Sequence, residues 1–158
     1  LGKLNQKFDI VLTHGIAELL NLTTGKPISL PSNIQLISIP FVSQDEYDWV
    51  LSQCDFNIVR GEDSFIRGQL AGKPFIWHIY PQEDRAHEAK LAAFLDLYLE
   101  TASQELRLAT IAAMTWSMPS QWISHLDDWN AHALAWRSQL LKKQGDGGLA
   151  ARLLHFVG

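Results

Sequence analysis

Compact apolar runs alternate with stretches of helical spacing through the first half of the chain. Phe8 to Thr13, Ile34 to Ile39, Phe56 to Val59 and Pro74 to Ile79 are short apolar segments bounded by turn residues, which predicts four strands. Between them, Gly15 to Leu22 predicts a short helix, and Asp45 to Cys54 a second with Tyr47, Val50 and Leu51 on one side. Gly61 lets the chain turn after the third strand, so that Asp63 or Ser64 caps a helix running to about Ala71, where Gly72 closes it. Pro74 fits the start of a strand because its missing N–H costs least before the ladder begins. Four strands separated by helices fit right-handed βαβ crossovers and an open parallel sheet over about residues 8–80.

From residue 83 to 157 the pattern is wholly helical. Leu91, Phe94, Leu95, Tyr98 and Leu99 fall at helical spacing, with Glu83 and Asp84 at the N-terminal end that favours acids. Leu106 to Met114 supplies another helix. Ser120 then predicts the cap of a long one carrying Trp122, Leu126, Trp129, Ala133, Trp136 and Leu140, with Lys142 and Lys143 at its negative end. Gly145, Asp146, Gly147 and Gly148 turn the chain into a last short helix through Phe156.

Composition narrows the class. A chain of 158 residues makes one ordinary domain, and 47% hydrophobic with 19% charged residues describes a globular protein. No apolar run approaches the roughly 20 residues of a membrane-spanning helix. The net charge of −4 argues against general nucleic-acid binding, which needs a basic surface. The single cysteine, Cys54, cannot form an internal disulfide, and its place at the end of an apolar-patterned helix marks it as a packing residue. Leu1 at the start and no signal-peptide pattern suggest a piece of something longer.

In open α/β sheets ligands sit beyond the carboxyl ends of the strands, which singles out Phe41, Gln44, Arg60 to Ser64 and Tyr80. Phe41 offers a ring for stacking or for the core, and Gln44 an amide for a base edge or a solvated turn. Arg60 can bridge phosphate oxygens or brace Glu62 and Asp63 from behind. Asp63 and Ser64 suit capping, and the same helix start presents amides to an anion. Tyr80 can donate a phenol or pack. Lys73 falls in the turn at the opposite edge of the sheet and reads as solvated.

Other signals weigh less. Asp127 and Asp128 look like a metal pair but lie in a helical pattern beside Trp129 and read as a solvated face. The six histidines show no metal-ligand spacing, and Gly145, Gly147 and Gly148 follow no strand, so they form no dinucleotide fingerprint. Trp116, Trp122, Trp129 and Trp136 read mostly as core.

The run from Arg60-Gly61-Glu62-Asp63-Ser64-Phe65 through Lys73-Pro74-Phe75-Ile76-Trp77-His78-Ile79-Tyr80-Pro81-Gln82 resembles the signature of the EarP family, the bacterial protein-arginine rhamnosyltransferases that modify elongation factor P. The likeness continues upstream in Ile39 to Asp48 and downstream to Asp146, Leu149, Ala150 and Leu153 to Val157. It covers nearly the whole chain but only the latter part of the family's length. The resemblance implies the C-terminal, donor-nucleotide Rossmann-like domain, residues 1–158, of a GT-B glycosyltransferase, with the N-terminal acceptor domain absent and a cytoplasmic location. Its first strand is expected to lie just before this chain begins. His14 departs from a Glu expected in a Pro-Glu-Gly turn.

The same resemblance implies dTDP-β-L-rhamnose as donor and inverting transfer to an arginine of elongation factor P, without a metal or other cofactor. Phe41 stacks the thymine in that reading and Gln44 reads its edge. Glu62 accepts from the ribose, Asp63 holds the loop or the sugar hydroxyls, and Arg60, Ser64 and Tyr80 face the diphosphate. The general base belongs to the N-terminal domain, so no catalytic residue is assigned and the isolated chain is expected to be inactive. Two alternatives stand beside it: another GT-B enzyme with a different nucleotide sugar or acceptor, and a non-catalytic module whose tryptophan-rich helices meet a protein partner.

Overall fold

The structure, a computed structural model, describes residues 6–16, 30–117 and 121–144. The chain forms two compact units, Leu1–Tyr47 and Asp48–Gly158. Residues 14–16 are helical, one residue ahead of the predicted start at Gly15. The rest of that helix, the Ser120 cap, the glycine-rich turn and the last helix lie outside the described residues.

In the first unit β1 (Phe8–Leu12) and β2 (Ile34–Ser38) pair in parallel, Phe8 opposite Ile34 and Leu12 opposite Ser38. The ladder is extended by the Phe8 N–H to Asn33 O at 2.8 Å and the Ile39 N–H to Leu12 O at 2.9 Å. Helix α1 (Gln44–Gln53) starts in this unit, one residue earlier than the pattern predicts. A capping box explains the start. The Ser43 N–H and hydroxyl both donate to Glu46 Oε2 at 2.8 Å, and the Glu46 N–H returns a bond to Ser43 Oγ at 3.3 Å. These bonds, the one from the Ser43 backbone first, hold the Glu46 carboxyl below its usual range.

The second unit is built on a βαβ turn: β3 (Asn57–Val59), α2 (Glu62–Ala71) and β4 (Phe75–Trp77). The strands run parallel with Asn57 opposite Phe75 and Val59 opposite Trp77. All four predicted strands exist, each slightly shorter than its apolar run; their described pairing is two two-stranded parallel sheets rather than one sheet of four. Gly68 lets α2 lie close on β3, since a Cβ there would stand 3.4 Å from both Val59 methyls. Gly72 ends the helix in the left-handed region, φ 68°, as expected.

A core of rings holds this unit. Phe65 of α2 stacks on Trp77 at 3.8 Å and meets Phe94 edge-on at 4.8 Å. Phe94 belongs to α3 (Ala86–Tyr98), which starts three residues after Glu83 because Arg85 adopts φ 59° and the Asp84 carboxylate accepts from the Ala86 N–H at 3.0 Å. Helix α4 (Gln104–Met114) is capped by Ser103, whose hydroxyl accepts from the Leu106 N–H. The long helix predicted from Ser120 is divided: a 3-10 turn, Gln121–His125, precedes α5 (Leu126–Gln144). In that turn Trp122 stacks on Phe56 at 4.1 Å.

Trp129, Ala133 and Trp136 present one buried stripe of α5, spaced as the sequence pattern requires. Trp129 Nε1 donates to the Tyr98 hydroxyl and Trp136 Nε1 to Gln69 Oε1, each at 3.0 Å, so both buried indoles are satisfied. Trp116 is the exception among the predicted core tryptophans. It follows the end of α4 at φ 56° and stays 47% exposed. Asp127 and Asp128 are exposed, as predicted, and Cys54 is half-buried, which pushes its thiol up. Among the described residues no helix is long and apolar enough to cross a membrane.

Candidate functional site

The chain leaves β3 at Arg60, passes Gly61 in an extended conformation and enters α2 at Glu62. Three hydrogen bonds fix this turn. The Trp77 indole N–H donates to Arg60 O at 3.0 Å, the Arg60 N–H donates to Ser64 Oγ at 3.3 Å, and the Ser64 hydroxyl donates to Gly61 O at 2.9 Å. No side chain caps α2. The amides of its first turn, which have no carbonyl a turn earlier, therefore open at the end of β3 with the positive pole of the helix behind them.

The expected cap at Asp63 or Ser64 is thus corrected: Gly61 occupies the cap position. Ser64 turns its hydroxyl back onto the Gly61 carbonyl, and Asp63 is captured by Arg67 one helical turn on. Arg67 Nε lies 2.8 Å from Asp63 Oδ2, while Arg67 Nη1 lies 2.8 Å from Asp48 Oδ2 of α1. The two carboxylates raise the Arg67 guanidinium further, Asp48 acting first.

Arg60 does not brace these acids. Its guanidinium carbon lies over the Tyr80 ring, 4.2 Å from the centroid, a contact worth about 0.5–1 kcal/mol at an exposed site. Tyr80 is 55% exposed, so core packing is not its role. Arg60, Gly61, Glu62, Tyr80 and Gln82 line a cleft of about 240 Å³ at the carboxyl ends of β3 and β4, and Trp77 and Ile79 share the lining.

Of the predicted residues, Arg60, Glu62 and Tyr80 meet in this cleft, Ser64 shapes the turn beside it, and Asp63 faces Arg67. Phe41 and Gln44 belong to the first unit. Phe41 is 88% exposed, which excludes core packing, and exposed Gln44 opens α1 next to the Ser43 cap.

Lys90 was not foreseen. It lines the cleft, its ammonium 3.5 Å from Glu62 Oε1. The signal was its spacing: Lys90 stands one turn before Phe94, whose ring packs on Phe65 and Trp77, so it shares the face that α3 turns toward the end of β4. Among the described residues no group of three or more His, Cys, Asp or Glu side chains is placed to hold a metal ion.

Parallel strands, βαβ connection and a cleft at the strand ends place the chain among α/β proteins with their open site at the carboxyl edge of the sheet. Comparison with known proteins narrows this. The model of the EarP family, elongation factor P (EF-P) rhamnosyltransferase, matches residues 9–158, and the chain belongs to that family.

A protein-arginine rhamnosyltransferase of Pseudomonas putida is 40% identical over 126 residues, 75% of this chain and 33% of that protein. One from Neisseria meningitidis is 36% identical over 168 residues, 96% of this chain and 42% of that protein. A solved structure that describes EarP-mediated arginine glycosylation of translation elongation factor EF-P matches with a TM-score of 0.80 at 31% identity, covering 99% of this chain and 54% of that chain. The chain therefore spans less than half the length of these two relatives and about half of that solved chain.

Proposed function

We propose that this chain is the donor-nucleotide-binding, C-terminal Rossmann-like part of a cytoplasmic GT-B protein-arginine rhamnosyltransferase, taking dTDP-β-L-rhamnose as donor and an arginine of elongation factor P as acceptor. Beyond family membership, one observation supports it: the uncapped start of α2 opens beside Arg60 and Tyr80 in a cleft at the strand ends.

The chemistry follows from charge. When the sugar–oxygen bond breaks, the departing nucleoside diphosphate gains negative charge, and donors set in advance around it lower the barrier. Arg60 supplies planar N–H groups, held by the Tyr80 face so that little reorganisation is needed. The first-turn amides of α2 add the backbone share of the same anion site. Glu62, 81% exposed at its side chain, accepts from the ribose hydroxyl. Ser64 acts through the backbone, holding the Arg60–Gly61 turn. Asp63, fixed by Arg67, keeps its carboxylate engaged and holds α2 against α1.

For Phe41 and Gln44 the support is the family resemblance: the exposed ring stacks on thymine and the amide reads its edge. The scheme uses no metal and assigns no general base within this chain, so the acceptor's deprotonation belongs to the remainder of the enzyme.

Calorimetric titration of the chain with dTDP, dTDP-rhamnose and UDP-glucose tests the reading, with Glu62→Ala and Phe41→Ala alongside. Thymine-selective binding lost in both variants supports it. Equal binding of UDP-glucose points to another nucleotide sugar. A folded chain that binds none of the three counts against it.

A further inference from the structure

Lys90 enters the cleft from α3, and nothing in the scheme above uses it. Its side chain is about half exposed, and its ammonium lies 3.5 Å from Glu62 Oε1, at the outer limit of hydrogen-bond distance. Glu62 is itself 81% exposed. An ion pair so long and so open contributes little to stability. The Arg67 pairs in the same unit are 2.8 Å, and α2 is held to α3 by rings, Phe65 against Phe94. The Lys90–Glu62 contact is therefore not what joins the helices. What it does is keep an ammonium within reach of the cleft.

The charge balance of the lining makes that ammonium matter. Arg60 and Lys90 stand against Glu62, so the cleft carries one excess positive charge. Without Lys90 the Glu62 carboxylate would cancel Arg60, and the cleft would offer an entering diphosphate no net positive charge. Arg60 is also restrained, with one face on Tyr80. Lysine differs: it is a compact charge on a flexible stem, and its rotatable donors can pass from one partner to another.

We propose that Lys90 is the second cation of the phosphate subsite. It exchanges Glu62 for a phosphate oxygen when a nucleoside diphosphate enters, and the exchange frees the Glu62 carboxylate to accept from the ribose. This role rests on the donor-binding reading above and deepens it. It also separates the two ends of the ligand, since Lys90 touches only the diphosphate and bears on the nucleoside solely by holding or releasing Glu62.

The test is titration of the full chain, as wild type, Lys90→Gln and Lys90→Arg, with dTDP by calorimetry and with thymidine by NMR shift mapping. Lys90→Gln is expected to weaken dTDP about tenfold and to flatten its salt dependence, while thymidine, for which Glu62 is then free from the start, binds at least as well as to the wild type. Lys90→Arg restores most of the dTDP affinity. Lys90→Gln binding dTDP like the wild type overturns the role of Lys90 and leaves the donor site standing. Equal weakening of dTDP and thymidine also overturns it, because a role in shape alone would act on both. Wild type that binds neither ligand overturns the donor reading itself, and this inference with it.

Discussion

The guanidinium of Arg60 lies over Tyr80 with its central carbon 4.2 Å from the ring centre, joining the residue after β3 to the segment after β4. Tyr80 thereby acts as a platform for the cation, a role the ring performs and the hydroxyl does not. Tyr80→Phe is expected to keep dTDP affinity near wild type, and Tyr80→Ala to lose about three- to fivefold, the equivalent of one exposed cation–π contact. Calorimetry of both variants decides it. A Phe variant as weak as the Ala variant would move the contribution to the phenol.

The start of α1 depends on Ser43 and Glu46. Because Ser43 holds the Glu46 carboxyl below its ordinary value of 4.5, the cap contributes stability that is fully present above that value and lost as pH falls through the lowered one. Carbon-13 NMR titration is expected to show Glu46 titrating below the ordinary range and returning toward it in Ser43→Ala. That variant should also lose about 1 kcal/mol in urea unfolding, as helix caps do.

Gly72 is the residue least open to substitution in the βαβ turn. Its φ of 68° disfavours any side chain, and a Cβ would stand 2.8 Å from Arg137 Cδ and 3.3 Å from Leu134 Cδ2 of α5. The Arg137 side chain can move aside, but the backbone conformation cannot. Gly72→Ala is therefore expected to cost about 1–2 kcal/mol, measured as a lower denaturant midpoint with unchanged slope. Gly61→Ala, with an ordinary φ and 3.7 Å to Ser64 Oγ, should cost less.

Much of this architecture was legible in the residues because local physics determined it. Gly72, Pro74 and the apolar runs around Ile58 and Ile76 announce a strand, helix and strand without reference to the rest of the chain. The stripe of Trp129, Ala133 and Trp136 was equally plain from spacing. What failed was decided by partners distant in sequence or by competition within one turn. Asp63 is a good cap by type, yet the Arg67 guanidinium one turn later, itself oriented by Asp48, takes its carboxylate instead of the backbone. Nothing in its residue type singles out Lys90; Phe94, packed on Phe65 and Trp77, fixes which way its helix faces. Trp116 carried the hydrophobicity of a core residue, but the chain turns out of α4 just before it.

Tyr98 and Trp129 form the polar contact at the centre of the second unit. Both are almost wholly buried, and the indole N–H has the phenol oxygen as its acceptor at 3.0 Å. Tyr98→Phe keeps the ring and deletes that acceptor, which leaves a buried donor unsatisfied at a cost of about 1–3 kcal/mol. Trp129→Phe removes the donor and opens space, so the two losses should overlap. The double variant is expected to be less destabilised than the sum, and a double-mutant cycle by urea unfolding measures the difference.

The same burial pushes the Tyr98 phenol up. Since the folded chain then resists ionisation more than the unfolded one, this group's stability is complete below the ordinary phenol value of 10.0 and erodes as pH rises beyond it. Tyr98→Phe should abolish that erosion, bringing the alkaline limbs of the wild-type and variant stability curves closer together. Parallel limbs would mean that the phenol ionises in the folded chain as readily as in the unfolded one, and that the ring is reached by water.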